Sequence, residues 1–217
     1  MENLQFLLKQ HVGAPCRSVV EEGEKVEKGT LIAVPEGLGA NLFSSVYGTV
    51  KEVREDRIIV CPDKIQKAEY VQLPEGTPLE MVKEAGIVGM GGAGFPTRVK
   101  LSPKEPEKIE YIIANCAECE PYITADYRRM LENTGQLVNG MRIILSLFPN
   151  AKGIFAVEDN KKDCIEKLNK ETENDPNMEV KALMTKYPQG AERQLIYAVT
   201  KRAINSSMLP ADAGCIV

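Results

Sequence analysis

A single histidine, His11, stands in the 217 residues, and there is no tryptophan. A zinc site built on imidazoles or a Ser/His/Asp triad therefore has almost nothing to draw on, and His11 is expected in a surface loop near the first strand. The six cysteines (Cys16, Cys61, Cys116, Cys119, Cys164 and Cys215) are scattered and form one CxxC, Cys116 to Cys119. That pattern suits reduced thiols and gives neither a disulfide framework nor a second CxxC to complete a metal site. The acidic neighbours Glu118 and Glu120 also disfavour a thiolate there. No run of Lys and Arg is long enough to track phosphates, and the net charge is −4, which argues against nucleic acid as a partner. The longest apolar stretches, such as Met141 to Phe148, fall far below the ~20 residues that span a bilayer. The opening MENLQFLLKQ has too short an apolar core for a signal peptide. A cytoplasmic protein is expected, with no direct membrane insertion; any association with a membrane, peripheral on its cytoplasmic face, would come through a partner.

What is present divides into two regions. Residues 1–74 carry short β-rich runs (Arg17 to Val20, Thr30 to Val34, Gly48 to Val53, Arg57 to Cys61) separated by Gly, Glu and Pro turns, with no sustained helical period. From residue 75 to 217 the pattern becomes α/β. A short helix over Pro78 to Ala85 should close at Gly86, and buried parallel strands are expected at Ile109 to Ala114, Gly153 to Val157 and Glu179 to Met184. Helices should lie between them over Tyr127 to Leu147, interrupted or bent near Gly135 and Gly140, over Lys161 to Lys170, and after the last strand over Gln189 to Arg202. Alternation at this spacing predicts a Rossmann-like parallel sheet. Ligands of such sheets bind outside the carboxyl ends of the strands, which is where the first strand delivers NCAECEPY (Asn115 to Tyr122).

Between the two regions lies GIVGMGGAGFPTRVK, Gly86 to Lys100. Five glycines (Gly86, Gly89, Gly91, Gly92, Gly94) fall within nine residues, more than a tight turn needs. Such a backbone is built for close approach by a flat, anionic ligand. Gly89, Gly91 and Gly94 satisfy GxGxxG, yet a helix precedes the motif and Pro96 delays the next one, so the flanks are not those of a dinucleotide fingerprint. Asn115, Glu118 and Glu120 add polar groups at a strand end, able to accept hydrogen bonds from sugar hydroxyls or a carboxamide. Persisting strand alternation would put Glu118 and Glu120 on one side.

Taken together, GMGGAGFPTRVKL, ANCAECEPY and KYPQGAERQL resemble the RnfC family of the Rnf electron-transport complex, a relative of the flavin-bearing NADH-binding subunit of respiratory complex I. The segment HVGAPCRSVVEEGEKVEKGTLIA extends the resemblance over nearly the whole chain. VVEEGEKVEKGTLIAV and SSVYGTVKEV are also similar to half-motifs of lipoyl and biotinyl carriers, which implies a barrel-sandwich fold for the first region. The turn where such carriers present a lysine reads EGLGAN here, so a docking or scaffold role is expected instead of a swinging arm.

The family resemblance implies FMN and NAD(H) as cofactors, hydride passing between nicotinamide and flavin and single electrons passing onward. It implies that Gly89, Gly91, Gly92, Gly94 and Lys100 line the flavin and its phosphate, with Asn115 and Glu118 on its polar edge and Phe95 and Glu120 toward the nicotinamide. No side chain is implied as catalytic or metal-ligating. Complex I relatives have an aspartate where this chain has Ala117, and their flavin-contacting tyrosine is matched by nothing clear in FAVEDN, which leaves Glu158, Asp159 and Asn160 as further lining residues. The family's 4Fe-4S clusters would lie in a C-terminal region that the chain does not contain, so an N-terminal fragment, inactive alone, is expected. The implied partners are a ferredoxin-like donor and the other subunits of a membrane electron-transport complex. A soluble reductase for amino acids such as proline stays open as a partner, as does a non-catalytic docking module.

Overall fold

The computed structural model describes residues 2–90 and 92–217. Gly91, one of the glycines expected at the ligand, lies outside the described residues. The chain divides into two compact units, Met1–Lys100 and Leu101–Val217.

In the first unit β1 (Leu4–Leu7), β7 (Arg57–Pro62), β6 (Gly48–Val53) and β3 (Lys25–Val26) form one sheet, while β2 (Cys16–Ser18), β4 (Leu31–Pro35) and β5 (Leu42–Phe43) form another. All pairings are antiparallel. Alternate residues of these strands point inward, and Val26, Ile32, Val50, Ile58 and Val60 meet in a shared core. This is the barrel-sandwich module. Each run expected from the sequence overlaps a strand, whereas β1, β3 and β5 have two to four residues, too few to show a period. The segment leaving the module stays attached to it: Gln66 bonds to Tyr47 on both sides of its amide, and the Val71 N–H donates to Lys28 O.

Helix α1 (Pro78–Glu84) follows, started by a capping box in which Thr77 and Glu80 satisfy each other's backbone donors. It closes at Ala85 and Gly86, the latter at φ 63°. Helix α2 (Thr97–Lys100) is a single turn, beginning one residue after Pro96.

The second unit is a four-stranded parallel sheet of β8 (Tyr111–Cys116), β9 (Lys152–Glu158), β10 (Met178–Leu183) and β11 (Cys215–Ile216), in the spatial order β10-β9-β8-β11. Helices cover both faces. α6 (Glu192–Thr200) buries Leu195, Ile196 and Val199 with Ile113, Ile154 and Ala156 of the sheet. On the opposite face α4 (Thr134–Leu145) approaches so closely that a Cβ at Gly153 would sit 2.8 Å from the Met141 sulfur, so a larger residue there would require the Met141 side chain to shift. α3 (Ala125–Glu132) and α5 (Lys162–Thr172) complete that layer. The helix expected over 127–147 is interrupted at Asn133, whose φ/ψ of −126° and 30° leave the helical region two residues before the expected Gly135, while Gly135 and Gly140 themselves are accommodated inside α4. The short β11 has no sequence signal, because two residues carry no pattern. It places β8 between chain segments that wind in opposite directions and makes the β8/β11 edge the topological switch point.

Candidate nucleotide-binding site

The glycine stretch is pinched shut at its base. Val88 and Pro96 form an antiparallel bridge, the Gly89 N–H donates to Phe95 O at 2.8 Å, and the Thr97 N–H donates to Ile87 O at 2.9 Å. The described glycines of this stretch differ in surroundings. Gly94 is buried at φ 65°, whereas a Cβ on Gly92 would meet no atom within 4 Å. A Cβ on Gly89 would lie 3.6 Å from the Lys100 ammonium, so bare backbone faces that charge. Phe95 and Lys100 are half-buried and Met90 stands in solvent.

In the second unit β8 ends at Cys116, at the switch point, and releases the chain up to Tyr122 from the sheet. The chain turns at once, so Glu118 and Glu120 do not share a side. Glu118 is buried and its two carboxylate oxygens accept the N–H groups of Asp126 (2.8 Å) and Tyr127 (3.1 Å), at the start of α3. Glu120 is exposed. Asn115 donates to Gly190 O at 2.8 Å and accepts from the Ala117 N–H, while the Gly190 N–H reaches the Cys119 sulfur at 3.2 Å. The loop from Lys186 to Gly190 is thus laced to the end of β8, and a Cβ on Gly190 would strike Ala117 O. Asn115, Glu118 and that loop come together in this unit. Glycine loop and β8 segment belong to different units, and each stands here on its own geometry.

Burial sets the electrostatics. The Cys116 thiol is pushed up to about 12 by desolvation, reinforced by Asp126 and Cys164, and stays protonated. Glu158, at the end of β9, is raised mainly by its burial, although its carboxylate accepts the Lys186 N–H. Asp126 is raised by burial and then by Glu118. Asp159 is lowered by its bonds to Thr185.

Two features at this end of the sheet go beyond what the sequence announces. Gln189 is 2% exposed, and its Oε1 is the buried side-chain oxygen without a hydrogen-bond partner among the described residues. Tyr122 lies fully in solvent with its backbone at φ 66°, a region non-glycine residues rarely enter. A proline and a tyrosine stand side by side in both NCAECEPY and KYPQG, but nothing in the sequence brings these two segments together. Among the described residues, no group of three or more His, Cys, Asp and Glu could hold a metal ion, and no helix is long and apolar enough to cross a membrane.

Comparison with known proteins places these halves. Residues 82–217 match the Nuo51 FMN-binding domain, and residues 1–68 match the RnfC barrel sandwich hybrid domain. The chain is 41% identical to a subunit of the proton-translocating ferredoxin:NAD(+) oxidoreductase complex of Clostridium ljungdahlii, over 97% of the chain and 50% of that protein. It is equally 41% identical to a subunit of the Na(+)-translocating ferredoxin:NAD(+) oxidoreductase complex of Acetobacterium woodii, over 95% of the chain and 51% of that protein. The chain thus spans about half the length of these curated relatives. Among solved structures, an NAD+-reducing [NiFe]-hydrogenase chain superposes with a TM-score of 0.54 at 26% identity, over 62% of this chain and 25% of that one.

Proposed function

The chain belongs to the Nuo51 FMN-binding domain family, carried behind an RnfC barrel sandwich hybrid domain, and from that premise we propose that it holds FMN in an electron-transfer subunit of the Rnf type. The observation that carries the reading is the release of Asn115 to Glu120 at the switch point of the parallel sheet, inside the stretch that matches the family. FMN, when bound, accepts electrons in pairs and releases them singly.

The chain's own residues bind and orient. Gly89, Gly92 and Gly94 offer a backbone with no side chains in the way, and Lys100 supplies positive charge for a phosphate. Gly91 belongs to the same set by its place in the motif. Asn115 and Glu118 face the polar edge of the flavin, and Phe95 and Glu120 receive the nicotinamide of NAD(H). Glu118 spends one lone pair of each oxygen on α3 and keeps another for a ligand donor. The functional division runs through residues 72–78, giving 1–74 and 75–217. In the whole protein, electrons would pass between NAD(H) and a ferredoxin-like partner by way of 4Fe-4S clusters outside this chain, alongside the other subunits of an ion-translocating complex.

Gly92→Val tests the loop. Its added side chain meets no protein atom within 4 Å at Cβ, so the fold should persist while the ligand's space is filled. Loss of FMN-induced amide shifts in a folded variant is the expected result. Undiminished FMN binding by Gly92→Val would overturn the assignment of the loop.

A further inference from the structure

The barrel-sandwich module and the glycine loop fold as parts of the same compact unit, and the contacts between them are specific. At the start of the loop, a Cβ on Gly86 would strike Asn41 O, and the Asn41 amide donates to Glu84 O at 3.3 Å, at the end of α1. Near the loop's end, Gly94 lies flat against the backbone of Gln10 and His11: a Cβ there would be 3.0 Å from His11 Cα and 3.1 Å from Gln10 O. Both ends of the loop therefore rest on the module. They rest on two of its turns, 10–13 and 36–41.

His11 ties those two turns together. It is 6% exposed, contrary to the surface position expected of it. Its Nδ1 lies 3.0 Å from Val12 O, and its Nε2 lies 3.2 Å from the N and the O of Ala40 and from the Cys16 sulfur. Assigning the hydrogen to Nδ1 makes Nε2 the acceptor for the Ala40 N–H, with the Cys16 thiol donating to Ala40 O at 3.3 Å. The ring also packs on Gly39, where a Cβ would fall 2.5 Å from Cε1. The turn that would display a lysine in a carrier domain is thus held down by a buried imidazole, and its far side supports Gly86.

We infer that the module is the seat of the glycine loop and that His11 is a positioning residue: by locking turn 36–41 to segment 10–13 it fixes Gly86 and Gly94, and through them the backbone offered to the ligand. His11 touches no ligand itself. The part of the inference that concerns ligand affinity rests on the FMN reading above. The part that concerns the loop does not.

Amide hydrogen exchange in the purified chain tests the seat directly. The reporters are the Gly89 and Thr97 amides, which close the base of the loop. His11→Leu leaves the Ala40 N–H without its acceptor and should speed exchange of both reporters roughly tenfold. His11→Gln, whose Oε1 can take that N–H, should restore most of the protection. Val26→Ala, a core truncation on β3 of the same module, should leave the reporters slow in the folded protein. Should His11→Leu not fold, Gly39→Ala displaces the ring by crowding Cε1 while keeping the imidazole, and should give the same acceleration.

FMN titration of the same samples completes the test, with roughly tenfold weaker binding expected in His11→Leu and recovery in His11→Gln. Unchanged reporter exchange in both His11→Leu and Gly39→Ala overturns the inference. Equal acceleration by Val26→Ala overturns it as well, since any loosening of the module would then suffice. Faster reporters in a protein whose wild type shows no FMN response would uphold the seat and refute the flavin reading instead.

Discussion

Removing the Glu118 carboxylate separates its structural work from any work on a ligand. Its oxygens take the second and third N–H groups of α3, at 2.8 and 3.1 Å, from a buried position outside the helix. No side chain at the N-cap residue Thr124 makes a capping bond, so Glu118 does the capping from the β8 segment. A hydrogen bond to a charged group is worth ~1.5–3 kcal/mol and loss of a cap costs ~1 kcal/mol. The negative charge also faces the positive end of the helix. Because α3 begins beside solvent, water recovers part of this, and Glu118→Ala should cost about 2–3 kcal/mol. For a unit of roughly a hundred residues, that lowers the unfolding midpoint by about 8–12 °C. Glu118→Gln keeps one acceptor but turns an NH₂ toward the other donor, so about half the loss is expected. A circular dichroism melt of each variant, with amide exchange of residues 125–129, reads the effect. An unchanged midpoint in Glu118→Ala would show that α3 does not depend on this carboxylate.

Glu158 gives a pH signature. Burial raises it, so the folded protein holds its proton above the pH at which the unfolded chain releases it. Its contribution is present below the unfolded value and is lost as pH rises through the folded one. Glu158→Gln still accepts the Lys186 N–H and should flatten that decline, with a higher midpoint near neutrality than wild type; a lower midpoint there would mean the charge is stabilising. Exposed Glu120, toward the nicotinamide in the proposed site, should behave differently again: Glu120→Gln should weaken NADH binding and leave FMN binding and the melt unchanged. Loss of FMN binding with intact NADH binding would reverse that assignment.

The elements that sequence announces are those with enough residues to show a period or a punctuating glycine. β9, a continuous apolar run, and α5, an amphipathic one, are readable for that reason, as is the closure of α1 at Gly86. β11 is not, although it creates the switch point, because two residues gain meaning only from pairing with Tyr111 and Ile112. The glycine loop announces itself by composition. The capping by Glu118 does not, since it depends on where the chain turns after Cys116. Gln189 is hidden for a similar reason: burial of an unpaired amide oxygen is a property of the packed loop and leaves no mark in KYPQG. His11 misleads in the opposite direction, as a lone histidine between loops gives no sign that Ala40, twenty-nine residues on, supplies its partner.

The most direct measurement is an FMN titration of the isotope-labelled chain followed by amide chemical shifts, which registers weak binding as well as tight. Saturating shifts at Gly89, Gly92 and Gly94 and at Asn115 and Glu118 are predicted, because the proposed function assigns both sets of residues to the flavin. Saturating shifts confined elsewhere, or none at millimolar FMN, would contradict it.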